Sequence, residues 1–83
     1  MTLLYFAWLR QKLERGEETM ALPDNVKNLA DLAAHLAARG GAYGEIFGDI
    51  TRLRAAVNQT HEKWDTAISD GDEIAFFPPV TGG

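Results

Sequence analysis

The sequence predicts an α+β domain: one mixed β-sheet with a single main helix lying across one face. Three observations carry this expectation. Stretches at 3–6, 17–22, 53–59 and 73–77 are apolar or alternating, with the length and residue types of strands. One stripe, Leu29, Leu32, Ala33 and Leu36, has helical spacing. The resulting order is strand, strand, helix, strand, strand, in a chain whose 83 residues enclose only one core.

Residues 3–6 form a continuous apolar and aromatic run, as expected of a strand covered on both faces. Leu9 and Leu13 stand four apart among Arg10, Gln11, Lys12, Glu14 and Arg15, which puts both leucines on one side of a short helix ended by Gly16. Thr19, Met20 and Leu22 then show some alternation until Pro23-Asp24 breaks it, giving a second strand that pairs with the first across the helical insert. The main helix has signals at both ends: Asn28 as cap with Asp31 three residues on, and Gly40-Gly41 as a left-handed stop. Residues 41–52 have no clean period and are expected to be a loop pinned to the core by Tyr43, Ile46 and Phe47.

In the second half, Leu53, Ala55 and Val57 alternate with Arg54, Ala56 and Asn58, the pattern of a half-exposed strand. His61 is expected near a turn and Trp64 on a short strand. Ser69-Asp70-Gly71-Asp72 is a turn whose glycine permits positive φ. In the last strand Ile74 and Phe76 face one way, Ala75 and Phe77 the other. Pro78-Pro79 has no amide hydrogens to continue a ladder, so residues 80–83 are expected to leave as a flexible tail behind a domain of residues 1–79.

Composition narrows the function. Twelve acidic residues against eight basic ones give a net charge of −4, which opposes loading along a phosphate backbone, so nucleic acid is not an expected partner. The absence of cysteine excludes disulfides, zinc-thiolate sites, iron–sulfur ligation and a thiol nucleophile. No apolar run approaches the roughly 20 residues that span a bilayer, and residues 1–10 lack the pattern of a secretory leader, so a cytoplasmic protein without a membrane partner is expected. Asn58-Gln59-Thr60 then matches the glycosylation pattern by coincidence.

Neither His35 nor His61 has a histidine or carboxylate three or four residues further on along a helix, so no metal site is expected. Asp70 and Asp72 are accounted for by turn chemistry, and Arg10, Lys12 and Arg15 by a solvated face offset by Glu14, Glu17 and Glu18. No phosphate-binding loop or serine–histidine set is present, and no self-contained active site emerges. What remains is the end of the chain, where two glycines follow a rigid diproline. The prolines hold such a tail away from the body, and residues without Cβ atoms let a narrow partner channel close around it.

The segment from Asp70 to Gly83, with Phe76-Phe77-Pro78-Pro79 and the terminal Val80-Thr81-Gly82-Gly83, resembles the C-terminal signature of the MoaD/ThiS family. Within that family the likeness is to the small, sulfur-carrying subunits of molybdopterin synthase. Ala55-Ala56-Val57-Asn58-Gln59 resembles the family's penultimate strand, and Phe6-Ala7 with Leu9-Arg10 its opening. The element order, with first and last strands as central neighbours, likewise resembles the β-grasp fold of ubiquitin. The thiamine-pathway sulfur carrier shares the fold and diglycine but is typically shorter and lacks the Phe-Phe-Pro-Pro stretch.

The resemblance implies that the Gly83 carboxylate is adenylated, with ATP, by a ubiquitin-activating-type enzyme of MoeB type and then converted to a thiocarboxylate. It implies no cofactor bound by the chain itself. A large synthase subunit of MoaE type takes the tail, and sulfur passes to cyclic pyranopterin monophosphate in an assembly of two small subunits flanking a dimer of large ones. Gly82 gives the tail clearance, Val80 and Thr81 make contacts inside the channel, and Pro78 and Pro79 lead into it. Phe6 and Phe77 belong to an exposed apolar patch that docks both partners, and His61 stands where the family commonly has an apolar residue of that patch. A ubiquitin-like protein modifier would use the same glycine to acylate a lysine, and a plain interaction domain would show no dependence on Gly83.

Overall fold

The computed structural model describes residues 1–79. β1 (Thr2–Tyr5) buries Leu3 and Tyr5 and leaves Thr2 and Leu4 half-buried, so it is covered on one face and not on both as its apolar run suggested. Phe6 lies outside the strand. The chain turns at Ala7, with φ 57° and ψ −135°, directly into α1 (Trp8–Leu13), which buries Leu9 and Leu13 as their spacing predicts. The helix stops at Glu14 in the left-handed region (φ 58°), two residues before the expected stop at Gly16. β2 (Glu17–Thr19) pairs antiparallel with β1. It is shorter than expected, because the Leu22 amide donates to Asp70 Oδ1 at 2.7 Å instead of to a strand.

α2 (Leu29–Ala37) buries Leu29, Leu32, Ala33 and Leu36. Asn28 Oδ1 accepts from the Asp31 amide at 2.8 Å, as expected of the cap. The Asp31 carboxylate reaches back to the Lys27 amide at 3.0 Å, one residue upstream of the amide used in a capping box. Gly40 and Gly41 are left-handed (φ 77° and 55°), but they come after the helix has ended and lead into a second one. Residues 41–52 are therefore not a loop: they form α3 (Gly41–Phe47) and a 3-10 turn at Ile50–Arg52. Gly41 and Gly44 weaken the intrinsic helix preference. Packing overrides this, because Tyr43, Ile46 and Phe47 stand at i, i+3 and i+4 and place Ile46 and Phe47 in the core.

β3 (Arg54–Val57) and β4 (Thr60–Glu62) form a hairpin through Asn58 and Gln59, both left-handed (φ 50° and 71°) as a type I′ turn requires. The expected strand over 53–59 is thus shorter at both ends, and His61 sits in the strand just beyond the turn. Trp64 follows β4 and lies outside it, its ring stacked 6.3 Å from that of Phe76. The turn at residues 69–72 forms through Asp72 Oδ2, which accepts from the Ser69 amide at 2.8 Å, with no positive φ at Gly71. β5 (Glu73–Phe77) buries Ile74 and Phe76, as its parity predicts.

The sheet order is β2-β1-β5-β3-β4, with β1 parallel to β5 and the other neighbours antiparallel. The first and last strands are the central pair, as expected, and β4 adds a fifth strand at one edge. With α2 across one face this is a ubiquitin-like β-grasp. Leu3, Tyr5, Ala55, Ile74 and Phe76 line the covered face and meet the leucines of α2. Phe47 meets Phe76 edge-on at 5.0 Å, and Tyr5 stacks on Phe76 at 6.2 Å. Each large side chain so buried contributes about 1.5–3 kcal/mol relative to exposure.

One charged side chain is drawn to the edge of this core. Glu18 is opposite Leu3 in the ladder and so shares the covered face. Its carboxylate accepts from the hydroxyls of Tyr5 and Tyr43, from Arg39 Nη1 at 2.9 and 3.1 Å, and from Arg15 Nη1 at 3.2 Å. Burial opposes its charge, but the donors Tyr5, Tyr43 and Arg39 and the Arg39 charge outweigh burial and hold the carboxyl below its ordinary value. Burial first, then the Glu18 carboxylate, push both tyrosines up. The cluster ties β2 at the sheet edge to the end of α2 and to α3.

Candidate functional site

The uncovered face of the sheet is where strand parity and register assemble a surface. Leu4 is opposite Ala75, Ala75 opposite Ala56, and Ala56 opposite His61, so one row crosses four strands. In the next row Phe77 is opposite Arg54. Tyr5 is opposite Phe76, so Phe6 reaches the level of Phe77, and its amide donates to the Phe76 carbonyl at 3.1 Å. Phe6 is 47% exposed and is the one large hydrophobic side chain classed as exposed among the described residues. The His61 ring lies 4.9 Å from that of Phe77, tilted by 46°.

The surface is apolar in the middle, with Glu17 opposite Leu4 at one margin and Arg54 and His61 at the other. Pro78 and Pro79, both half-buried, leave β5 beside it. The structure therefore brings Phe6, Phe77, Pro78 and Pro79 to one end of the sheet. Val80, Thr81, Gly82 and Gly83 lie outside the described residues. Leu4 and Ala75, both half-buried, also belong to this surface, with Ala56 buried in the same row, and none was singled out as a site residue from sequence. Alternation assigned a face within β3 and β5, but only the register puts the three side by side.

Chemically, an apolar surface of this kind suits contact with an apolar partner surface. Among the described residues no group of three or more His, Cys, Asp or Glu side chains is placed to hold a metal ion. His35 lines a shallow groove with Asn25, Asp31, Ala34 and Ala38. The basic residues of α1 are offset as a solvated face, though by partly different acids than expected: Lys12 pairs with Glu45 at 2.6 Å and Arg15 with Glu18 at 3.2 Å. Among the described residues, no helix is long and apolar enough to cross a membrane.

Comparison with known proteins supplies what the geometry does not. The model of the ThiS family matches residues 3–83, nearly the whole chain and its terminal glycines. The chain belongs to the ThiS family. Among ThiS-family relatives, the molybdopterin synthase sulfur carrier subunit of Escherichia coli K12 is 38% identical over 81 residues, covering 98% of this chain and 96% of that protein. The protein of that name from Mycobacterium tuberculosis H37Rv is 32% identical over 83 residues, covering 100% and 96%.

Solved structures agree on the ThiS-family fold. A putative molybdopterin converting factor subunit 1 from Pyrococcus furiosus superposes with a TM-score of 0.75 at 30% identity, over 95% of each chain. SAMP1 from Haloferax volcanii gives 0.76 at 26% identity, over 100% of this chain and 98% of that one.

Proposed function

We propose that this ThiS-family chain is the sulfur-carrier subunit of a molybdopterin synthase, with Gly83 as the group that carries sulfur. The observation that supports the reading most directly is likeness along the whole chain to curated subunits of that name, at 38% identity in one case. Free of cysteine, the chain carries sulfur on its terminal carboxylate. An activating enzyme of MoeB type catalyses attack of that carboxylate on the α-phosphorus of ATP, releasing pyrophosphate. A sulfur donor then displaces AMP to leave a thiocarboxylate. Activation is necessary because a free carboxylate is a poor electrophile, whereas an acyl-adenylate has a good leaving group.

The body of the domain presents the tail. Phe6, Phe77, Leu4 and Ala75 dock the activating enzyme and, in turn, the large subunit of MoaE type. Pro78 and Pro79 aim Val80, Thr81, Gly82 and Gly83 into a channel where sulfur passes to cyclic pyranopterin monophosphate, in the cytoplasm. The deciding experiment is the intact mass of the chain after incubation with ATP, the activating enzyme and a sulfur donor, beside a chain lacking Gly83. Exchange of one terminal oxygen for sulfur in the full chain alone is the expected result. An unchanged mass with demonstrably active enzyme and donor overturns the reading. Gly82→Val is expected to block product formation with the large subunit, and normal product formation would remove Gly82 from its assigned role.

A second reading is favoured by one observation: two similar structures, both from Haloferax volcanii, are named SAMP1 and small archaeal modifier protein 1. As a protein modifier the chain would form an isopeptide bond from Gly83 to a lysine. Mass spectrometry of tryptic peptides from cells expressing a tagged chain distinguishes it, since only a modifier leaves branched lysine peptides that disappear in the chain lacking Gly83.

A further inference from the structure

The ladder between β3 and β4 opens at its far end. Ala55 is opposite Glu62, and the next residue on each strand, Arg54 and Lys63, is unpaired in the register. A groove of about 420 Å³ lies there, lined by Arg54, Ala55, His61, Glu62, Lys63 and Thr66. Arg54, His61, Glu62 and Lys63 are all exposed. Arg54 Nη1 donates to the Leu53 carbonyl at 2.8 Å, which anchors the guanidinium near the groove. Glu62 is the one acid in the lining, and its Oε2 accepts from the Thr66 hydroxyl at 3.2 Å. Neither Arg54 nor Lys63 forms an ion pair among the described residues.

This basic corner belongs to a chain of net charge −4, and it is continuous with the apolar surface. Arg54 is opposite Phe77, and His61 packs its ring against the same Phe77. A partner resting on Phe77 therefore has its next side chains at the mouth of the groove. We propose that the groove binds a carboxylate side chain of the large synthase subunit, held between Arg54 and Lys63, which sets the register of that subunit on the apolar face. The inference rests on the docking reading above and adds a specificity element to it. An apolar patch tolerates sliding and rotation, whereas a carboxylate seated against a guanidinium accepts few orientations. His61, with a ring N–H to donate, suits the same ligand better than an apolar side chain in that place.

The test is isothermal titration calorimetry of the full-length chain against its large subunit at low and at high salt, with Arg54→Glu, Lys63→Glu and Lys12→Glu. Lys12→Glu makes the same change in net charge on α1, the connection between β1 and the opposite edge strand. Arg54→Glu and Lys63→Glu are each expected to weaken binding at low salt by at least about tenfold, because a like charge then faces the partner's carboxylate. Lys12→Glu is expected to change it by less than about threefold, as a change outside the interface. High salt is expected to narrow the difference between wild type and the groove variants. Thermal unfolding of each variant confirms that the exposed substitutions leave the fold intact. Groove variants that weaken binding no more than Lys12→Glu overturn the proposal while the docking reading stands. Failure of the folded wild-type chain to bind at all overturns the docking reading itself, and this proposal with it.

Discussion

Among the described residues Ala7, Glu14 and Gln59 hold positive-φ conformations that their side chains disfavour. Gln59 is left-handed at the second position of the β3–β4 turn, and Ala7 turns the chain between Phe6 and α1. A left-handed non-glycine residue costs about 1–2 kcal/mol, and glycine is the preferred residue at the second position of a type I′ turn. Gln59→Gly is accordingly expected to stabilise the domain by about 0.5–1 kcal/mol in urea unfolding, relief of strain exceeding the added chain entropy. A loss of stability would mean that the Gln59 side chain contributes more than its backbone costs. Asn58, the other half of the turn, was read from sequence as a strand position and as part of a glycosylation pattern, not as a turn residue. In the structure it secures the hairpin to β5, donating to Asp72 Oδ1 at 3.0 Å and accepting from the Glu73 amide at 3.0 Å.

Glu18 makes the strongest residue-level prediction. Its folded carboxyl titrates below the ordinary 4.5, after the donors and Arg39 have outweighed burial. A depressed acid contributes stability that is present above the ordinary value and is lost as pH falls through the lowered folded one. Glu18→Gln is expected to lower unfolding free energy at pH 7 by about 2 kcal/mol, the loss of hydrogen bonds to a charged acceptor. The gap between the variant and wild type should narrow as pH falls below the ordinary carboxylate value and the carboxyl takes up its proton. Denaturant titrations over that fall in pH check it, and a constant gap would assign the effect to packing. Sequence offered Glu18 only as one of several acids beside a basic helix, because its donors Tyr5, Tyr43 and Arg39 come from three other segments.

At the scale of elements, α3 and β4 are the pieces that local pattern did not predict. α3 is seven residues with glycine at its first and fourth positions, too short and too weak in propensity to persist alone in water. It persists because Phe47 and Ile46 join the core. Phe47→Ala is expected to cost about 3–5 kcal/mol, a large share of the roughly 5–15 kcal/mol that holds a native domain together. Amide exchange in α3 should then speed up more than in β1 or β5 if the helix opens locally, and equally if the whole domain unfolds. The i, i+3, i+4 spacing of Tyr43, Ile46 and Phe47 was present in the sequence, where the two glycines and the brevity of the repeat masked it. β4, three exposed residues long, has no apolar alternation to announce it and exists because the turn before it folds it onto β3. By contrast, the stripe and cap of α2 and the parity of β5 depend on residues a few positions apart, and both were read correctly.

For the molecule as a whole, the core and the open surface of the sheet lie on opposite faces. The covered face holds the core, and Phe6, 47% exposed, follows β1 at the level of Phe77, where a substitution touches little of the interior. Phe6→Asp is therefore expected to leave stability within about 0.5 kcal/mol while weakening binding to the large subunit at least about tenfold, as removal of an apolar anchor does. Unfolding curves and calorimetric titration together check it: unchanged binding removes Phe6 from the interface, and a collapse of stability would place it in the core. Amino-acid sequence by itself determined the α+β class, the cap and stripe of α2, the inward and outward residues of β5, the cysteine-free composition and the Gly82-Gly83 pair. Each of these is written in neighbouring residues or in composition, which act before any long-range contact forms. Tertiary structure decided the existence of α3, the seating of Glu18, and the row from Leu4 through Ala75 and Ala56 to His61. A strand's period of two assigns a side chain to a face but cannot choose its neighbour across the sheet, and that choice is made by the burial of the whole core at once.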